Sequence, residues 1–369
     1  MKEFMKNGIK SLNQNKKKIL FPFVGDSVGG SHIATVYLIN NLKKINISYK
    51  IVLLTNGPLE NFLKKKKIKY FVWQNNKNLP ISKISEIIFF FFFNFFNIRK
   101  FLKTYNFDFI HTNDNRMHYL WSIISFCNNV RHIWHQHSAY YSRRNIFFSL
   151  LSYKIITISN FCKKSFTKKM SDRAEIVGNP FEKIRSIKKI DIKKHYKINK
   201  SEFLITYVGK NTAQKRFTFF LNLAEKISSQ NCNIIFFIIG GKSHLAQQSR
   251  NKRIIFIDLI DEISNFLAQS DLVICPAKNE GFGRVIIEAM ISKTLVLASK
   301  SGAHTELVQE NYNGFLAELD SVNSFKKKIK EIVNLKKNER NKIIHNAYTF
   351  AQKKFSMSDY LRKFKKIYY

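Results

Sequence analysis

Residues 279–290 read Asn279-Glu280-Gly281-Phe282-Gly283-Arg284-Val285-Ile286-Ile287-Glu288-Ala289-Met290. Two carboxylates stand eight residues apart, a Gly-Phe-Gly turn follows the first, and an apolar run leads into the second. Before this stretch, Asp271-Leu272-Val273-Ile274-Cys275-Pro276 predicts a short apolar strand closed by proline; after it, Leu295-Val296-Leu297-Ala298-Ser299 predicts another. Strand, glycine turn, helix and strand make a βαβ unit. Glu280 then falls in the loop at the strand's C-terminal end, where open α/β sheets bind ligands. Glu288 falls about a turn into the helix. The helix N-terminus behind Gly281 and Gly283 offers free N–H groups and a positive dipole end, suited to an anion or a polyhydroxyl ligand. Taken alone, Glu288 is better explained by an i, i+4 pair with Arg284 on a solvated face.

Outward from this unit the same alternation recurs on both sides. Residues 18–23 predict a strand, followed by a loop holding Gly29 and Gly30, then an apolar helical pattern through Ile33, Val36, Tyr37, Ile39 and Leu42. Glycine lets backbone approach a ligand closely, but the loop lacks the full dinucleotide fingerprint. Further strands are expected at residues 49–54, 68–72, 107–114, 131–135 and 154–159. The strand at 131–135 ends in His135-Gln136-His137-Ser138. Two histidines at i, i+2 would suit a metal, yet no carboxylate or cysteine stands at a matching spacing. Hydrogen-bonded loop histidines are the plain alternative. The lysine-rich residues 183–200 read as a linker. A second alternation opens at residues 203–209, followed by Lys210 and, five positions on, Lys215. Strands at 233–239, ending in Gly240-Gly241, and at 254–257 lead through a polar helix at 262–270 back to the opening block. From Phe325 onward the pattern is helical and basic.

The block from Asp271 to Leu316 resembles the Glu-x7-Glu signature of retaining glycosyltransferase family 4. It continues as the family does, through Glu306-Leu307-Val308 and Asn313-Gly314-Phe315-Leu316. The resemblance implies the GT-B fold: α/β, two Rossmann-like domains facing across a cleft, with a C-terminal helix crossing back to the first domain. The expected layout is an acceptor-side domain over 1–185, a linker over 186–201, a nucleotide-sugar domain over 202–345 and a returning segment over 346–369. It also implies site residues. Glu280 would hold the donor sugar's hydroxyls and Glu288 the ribose. Lys210 and Lys215 would neutralise the diphosphate, where the family has an arginine and a lysine; Arg216 is a substitute for the missing arginine. Gly281, Phe282, Gly283, Gly29 and Gly30 would line the donor. His137, with His135 as second choice, matches the family's histidine near the transferred sugar. Thr294 stands where proline is usual, the following turn has Gly302 alone, and Pro180 replaces a glycine, so those loops are expected to differ in shape.

The implied activity is retaining transfer of a sugar from a nucleotide-sugar to a saccharide or lipid-linked acceptor, in surface-polysaccharide or lipopolysaccharide assembly. No cofactor or metal is expected, since no Asp-x-Asp occurs. Another activity on the same scaffold, a nucleotide-sugar epimerase or a phosphorylase, is the alternative. The chain has 369 residues, room for two domains. Four cysteines, Cys127, Cys162, Cys232 and Cys275, lie far apart and suggest neither disulfides nor a zinc site, so a cytoplasmic setting is expected. The formal net charge of +38 suits an anionic membrane surface or nucleic acid. No nucleic-acid motif accompanies it, so a peripheral place on the inner membrane face is favoured over a basic nucleic-acid-binding protein. Residues 87–98 hold Phe89, Phe90, Phe91, Phe92, Phe93, Phe95 and Phe96, about half the length that spans a bilayer. They read either as a buried helix or as a membrane-dipping surface.

Overall fold

The structure, a computed structural model, describes residues 16–73, 84–139, 142–181, 190–230, 233–240, 251–258, 260 and 263–369. Cys232, Gly241, the first residue of the helix expected at 262–270 and residues 183–189 of the lysine-rich stretch lie outside the described residues.

Among the described residues the strands form two sheets. The first holds β1 (Lys17–Phe23), β2 (Ile47–Leu53), β3 (Phe71–Val72), β4 (Phe109–Thr112), β5 (Arg131–Gln136), β6 (Lys154–Thr157) and β7 (Ala174–Ile176), in the order β3-β2-β1-β4-β5-β6-β7. The second holds β8 (Phe203–Val208), β9 (Ile234–Ile239), β10 (Ile254–Ile257), β11 (Leu272–Cys275), β12 (Leu295–Ser299) and β13 (Phe315–Ala317), in the order β10-β9-β8-β11-β12-β13. All these pairings are parallel. Their sequences show why. Parallel strands are covered on both faces, so they need unbroken apolar runs; every residue of Ile234–Ile239 is buried.

The helices are α1 (Gly30–Asn41), α2 (Pro58–Lys65), α3 (Ile84–Tyr105), α4 (Asn115–Cys127), α5 (Arg143–Leu150), α6 (Asn160–Lys164), α7 (Lys168–Arg173), α8 (Ile192–His195), α9 (Phe217–Ser228), α10 (Ser264–Gln269), α11 (Arg284–Ile291), α12 (His304–Leu307), α13 (Val322–Val333), α14 (Lys337–Lys354) and α15 (Met357–Tyr368). On the first sheet, α3 and α4 pack Phe90, Leu102 and Trp121 against Leu20, Ile110 and Trp134. Its other face takes α1, α2 and the returning α15. Tyr360, Leu361, Phe364, Ile367 and Tyr368 form one stripe of α15, and all are buried there. The second sheet is covered by α9 and α13 on one face and by α11 and α14 on the other.

The fold is therefore two parallel-sheet Rossmann-like domains with the terminal helix docked on the first. The chain crosses between them twice at one place. Phe181 N–H donates to Phe355 O at 3.1 Å, and Phe181 pairs with Ser356. Helix α14 runs unbroken to Lys354, so the return crossing falls at Phe355–Ser356. Strand order reverses beside β1 and β4 in one sheet and beside β8 and β11 in the other. The loops after these strands are where such sheets bind ligands.

Candidate active site

In the second domain, β8 delivers Lys210 and Lys215, and β11 delivers the loop to Glu280. Lys215 Nζ lies 2.8 Å from Glu280 Oε1 and 2.7 Å from Oε2. The two residues thus form one ion pair, 30% and 16% exposed. They line a pocket with Tyr207, Pro276, Gly283 and His304. The turn after β12 fixes the height of Glu280: Ala303 N–H donates to Glu280 O at 2.9 Å, and Asn279 N–H to Ser301 Oγ at 3.0 Å. Gly302 closes this turn at φ +60°, and a Cβ on it would lie 2.6 Å from Glu280 N. Only glycine combines that conformation with that approach.

Helix α11 starts at Gly283, its N-cap. Arg284 Nη2 donates to Glu288 Oε1 at 2.8 Å, so the i, i+4 pair weighed from the sequence does form. Its guanidinium is not on a solvated face. It stacks near Phe181 and Tyr37, at 4.9 and 5.7 Å from the ring centres, with the side chain beside Gly30. Gly29 and Gly30 begin α1, and the Gly29 N–H is donated to His32 Nδ1 at 3.0 Å. Burial pushes the His32 imidazole down to about 4, so the ring stays a neutral acceptor. Asp26 of the same loop takes a two-pronged bond from Arg116 at 2.7 and 3.0 Å, whose side-chain hydrogen bond lowers its carboxyl. The Lys210 ammonium reaches across to Val28 O at 3.2 Å. Lys210, the glycine loop and α11 are thereby brought to one cleft.

His137 and His135 part company in the structure. His135 is buried in a chain in which His111 Nε2 meets His135 Nδ1 at 3.1 Å and His111 Nδ1 meets the Tyr368 hydroxyl at 2.6 Å. His137 lies at the domain junction. A Cβ on Gly281 would sit 3.0 Å from His137 O, so the absence of a side chain at Gly281 is what lets the two loops touch. His137 Nε2 bonds Asn113 Oδ1 at 3.1 Å, while His137 Nδ1 and His135 Nε2 are buried without a hydrogen-bond partner among the described residues. Burial, with neighbouring histidines adding, holds both rings far below the usual imidazole range and therefore neutral. Among the described residues no group of three His, Cys, Asp or Glu is placed to hold a metal ion.

Two residues named for the site have their side chains engaged elsewhere. The Phe282 side chain is 5% exposed, edge-on to Phe355 at 5.3 Å and stacked on Phe181 at 6.4 Å, in the core at the crossover. An aromatic ring beside two apolar crossover segments is more stable there than in a wet cleft. Arg216, expected as a substitute for the missing arginine, has its guanidinium bonded to the loop after β13. It donates to Leu319 O and, at 2.8 Å, to Asp320, and packs over Phe219.

Other contacts had no signal in the sequence beyond a family pattern. Ser159 caps α6 and donates to Gly281 O at 2.6 Å in the other domain. Glu306 accepts from Asn160 N–H at 2.9 Å and from Phe161 N–H, capping the same helix from across the cleft. A carboxylate at a helix N-terminus is stabilised by the free N–H groups and dipole. Its partners lie 146 and 145 residues away, which no local pattern reveals.

This architecture is the GT-B fold: cations and carboxylates of one Rossmann-like domain face a glycine loop and a histidine of the other. Within that class, residues 188–350 match the family described as glycosyl transferases group 1. An uncharacterised glycosyltransferase of Methanocaldococcus jannaschii is 26% identical over 58% of this chain, which spans 59% of that protein's length. The UDP-Gal:alpha-D-GlcNAc-diphosphoundecaprenol alpha-1,3-galactosyltransferase of Escherichia coli is 21% identical over 85% of this chain and 92% of its own. Anabaena Alr3699/HepE, solved in complex with UDP and glucose, superposes with a TM-score of 0.79 at 19% identity, over 95% of this chain and 99% of that one. The group 1 match over residues 188–350, with these glycosyltransferase relatives, supports a transferase enzyme.

Proposed function

We propose that this chain transfers a sugar, with retention at the anomeric carbon, from a nucleotide-sugar to a saccharide or lipid-linked acceptor in surface-polysaccharide assembly, as a family 4 enzyme on the cytoplasmic side. The observation that carries this reading is the Lys215–Glu280 pair set at strand ends opposite His137. Transfer requires a nucleoside diphosphate to leave while positive charge builds on the sugar. Lys215 and Lys210 offset the charge of the leaving diphosphate, together with the N-terminus of α11. The diphosphate competes with Glu280 for Lys215 and leaves the Glu280 carboxylate to accept the sugar's hydroxyls. Glu288, oriented by Arg284, accepts from the ribose. Retention follows from attack on the leaving-group face, with the departing phosphate taking the acceptor's proton. A metal is not required in this scheme, because two ammonium groups and a helix N-terminus do its electrostatic work.

The UDP-bound relative and the UDP-Gal enzyme named above support starting with UDP-sugars. The test is a thermal-shift series with UDP-, GDP-, ADP- and CMP-sugars on the wild type and on Glu288→Ala. Ligand at 100 times its dissociation constant stabilises by about 2.7 kcal/mol. One nucleotide class should raise the melting temperature of the wild type and not of the variant. No rise with any of them would overturn the proposal.

A further inference from the structure

Helical periodicity places Phe89, Phe92, Phe93 and Phe96 on one stripe of α3, and Phe90, Asn94, Ile98 and Leu102 on the opposite one. The second set is buried against the first sheet. The first set is 58%, 71%, 66% and 81% exposed. The exposed stripe continues toward the C-terminus through Arg99, Lys100 and Lys103, all exposed. Apart from Glu86 in its first turn, α3 carries no carboxylate. Contiguous exposed apolar surface of this kind marks an interaction site, and sugar transfer in the cleft makes no use of it.

We propose that this face of α3 docks on an anionic lipid bilayer. The partner has to accept aromatic rings out of water and, along the same stripe, three cations. A bilayer supplies an apolar layer beneath the headgroups and a negative surface above it. The helix lies in the interface rather than through it: among the described residues no helix is long and apolar enough to cross a membrane. The C-terminal end of α3 lies at the start of β1, where Lys18 Nζ donates to Tyr105 O at 3.3 Å, so its N-terminal half, with Phe89, Phe92 and Phe93, runs toward the strand ends that face the cleft. Docking therefore brings the first domain's side of the cleft to the headgroups. The proposal stands whether or not the transfer reaction is the one given above.

The test is co-sedimentation of the full chain with vesicles of phosphatidylcholine, with and without phosphatidylglycerol. Three proteins are compared: wild type, F92S/F93S/F96S and R99Q/K100Q/K103Q. The substituted side chains are exposed, so the melting temperature should hold, and it is measured on each. The wild type should bind the anionic vesicles. The serine variant should bind at least about tenfold more weakly, and the glutamine variant about a hundredfold more weakly at low salt, given roughly fivefold for each basic residue near the surface. Equal binding by wild type and serine variant, abolished by salt, would assign adsorption to the diffuse charge and overturn the proposal. So would a serine variant that binds vesicles as the wild type does while a wild-type dimer becomes a monomer on a sizing column.

Discussion

Glu280 is held by neighbours that have no chemistry of their own. Gly302 is the clearest, since its φ of +60° and its approach to Glu280 N leave no room for a methyl group. Gly302→Ala should push the Glu280 loop outward. A displacement of about 1 Å at a positioned group costs about a hundredfold in rate, while forcing a non-glycine residue into this conformation costs only about 1–3 kcal/mol of stability. The expected outcome is kcat/KM down by about two orders of magnitude in a protein that still melts cooperatively. Wild-type kcat/KM in that variant would show that the turn does not position Glu280. The Lys215–Glu280 pair belongs to the same scale. It keeps each charge compensated before a donor arrives, and a buried charge without a partner is costly.

Helix α15 is the element that joins the two ends of the first domain. Its apolar stripe supplies most of the docking free energy, and the Tyr368 hydroxyl adds one directed bond, to His111 at 2.6 Å. With both rings neutral, the Tyr368 hydroxyl and His111 Nδ1 share one hydrogen bond, and His111 Nε2 and His135 Nδ1 share the next, the tautomer of His111 setting the direction of both. The chain of bonds runs from the returning helix to β5, the strand that precedes His137. Tyr368→Phe keeps the packing and leaves His111 Nδ1 buried without its hydrogen-bond partner. The expected loss is about 1–3 kcal/mol, the cost of an unsatisfied buried polar group, read as a lower urea midpoint. An unchanged midpoint would mean that packing alone holds α15.

At the scale of the whole molecule, neutral buried histidines set the response to acid. Burial lowers His132 to about 3, and His32 and His304 to about 4. In the unfolded chain the same rings titrate near 6.5. Below that pH the unfolded state binds protons that the folded state refuses, so stability falls as pH falls from about 6.5 toward 4. Above pH 7 both states hold these rings neutral, and they contribute no slope. Each histidine adds at most about 1.4 kcal/mol per pH unit inside the window. Melting temperature at fixed ionic strength should therefore be level from pH 8 to 7 and decline from 6.5 to 5. A level profile down to pH 5 would show that the folded protein protonates these rings. The interdomain contacts act at the same scale: the bonds of Ser159 to Gly281 and of Glu306 to the start of α6 hold the cleft faces together.

Much of this was legible in the chain itself. Buried parallel strands have to be apolar throughout, so runs such as Ile234–Ile239 announce themselves, and glycine turns mark where they end. That local logic yields the alternation of both domains, the strand ends that carry Lys215 and Glu280, and the amphipathic last helix. Even the Arg284–Glu288 pair follows from helical spacing. What needed the tertiary structure are the relations between residues far apart in sequence. The family pattern put Phe282 among the donor-lining residues, and packing seats its side chain against Phe181 and Phe355 at the crossover. The sequence left His135 and His137 as alternatives, and only the closeness of Gly281 to His137 separates them in space. It left the phenylalanine run as either core or surface, and the docking angle of α3 made it both. The physical reason is common to all three: propensity and periodicity act over a few residues, whereas which face meets which partner is settled by how two preformed sheets and their helices exclude water together.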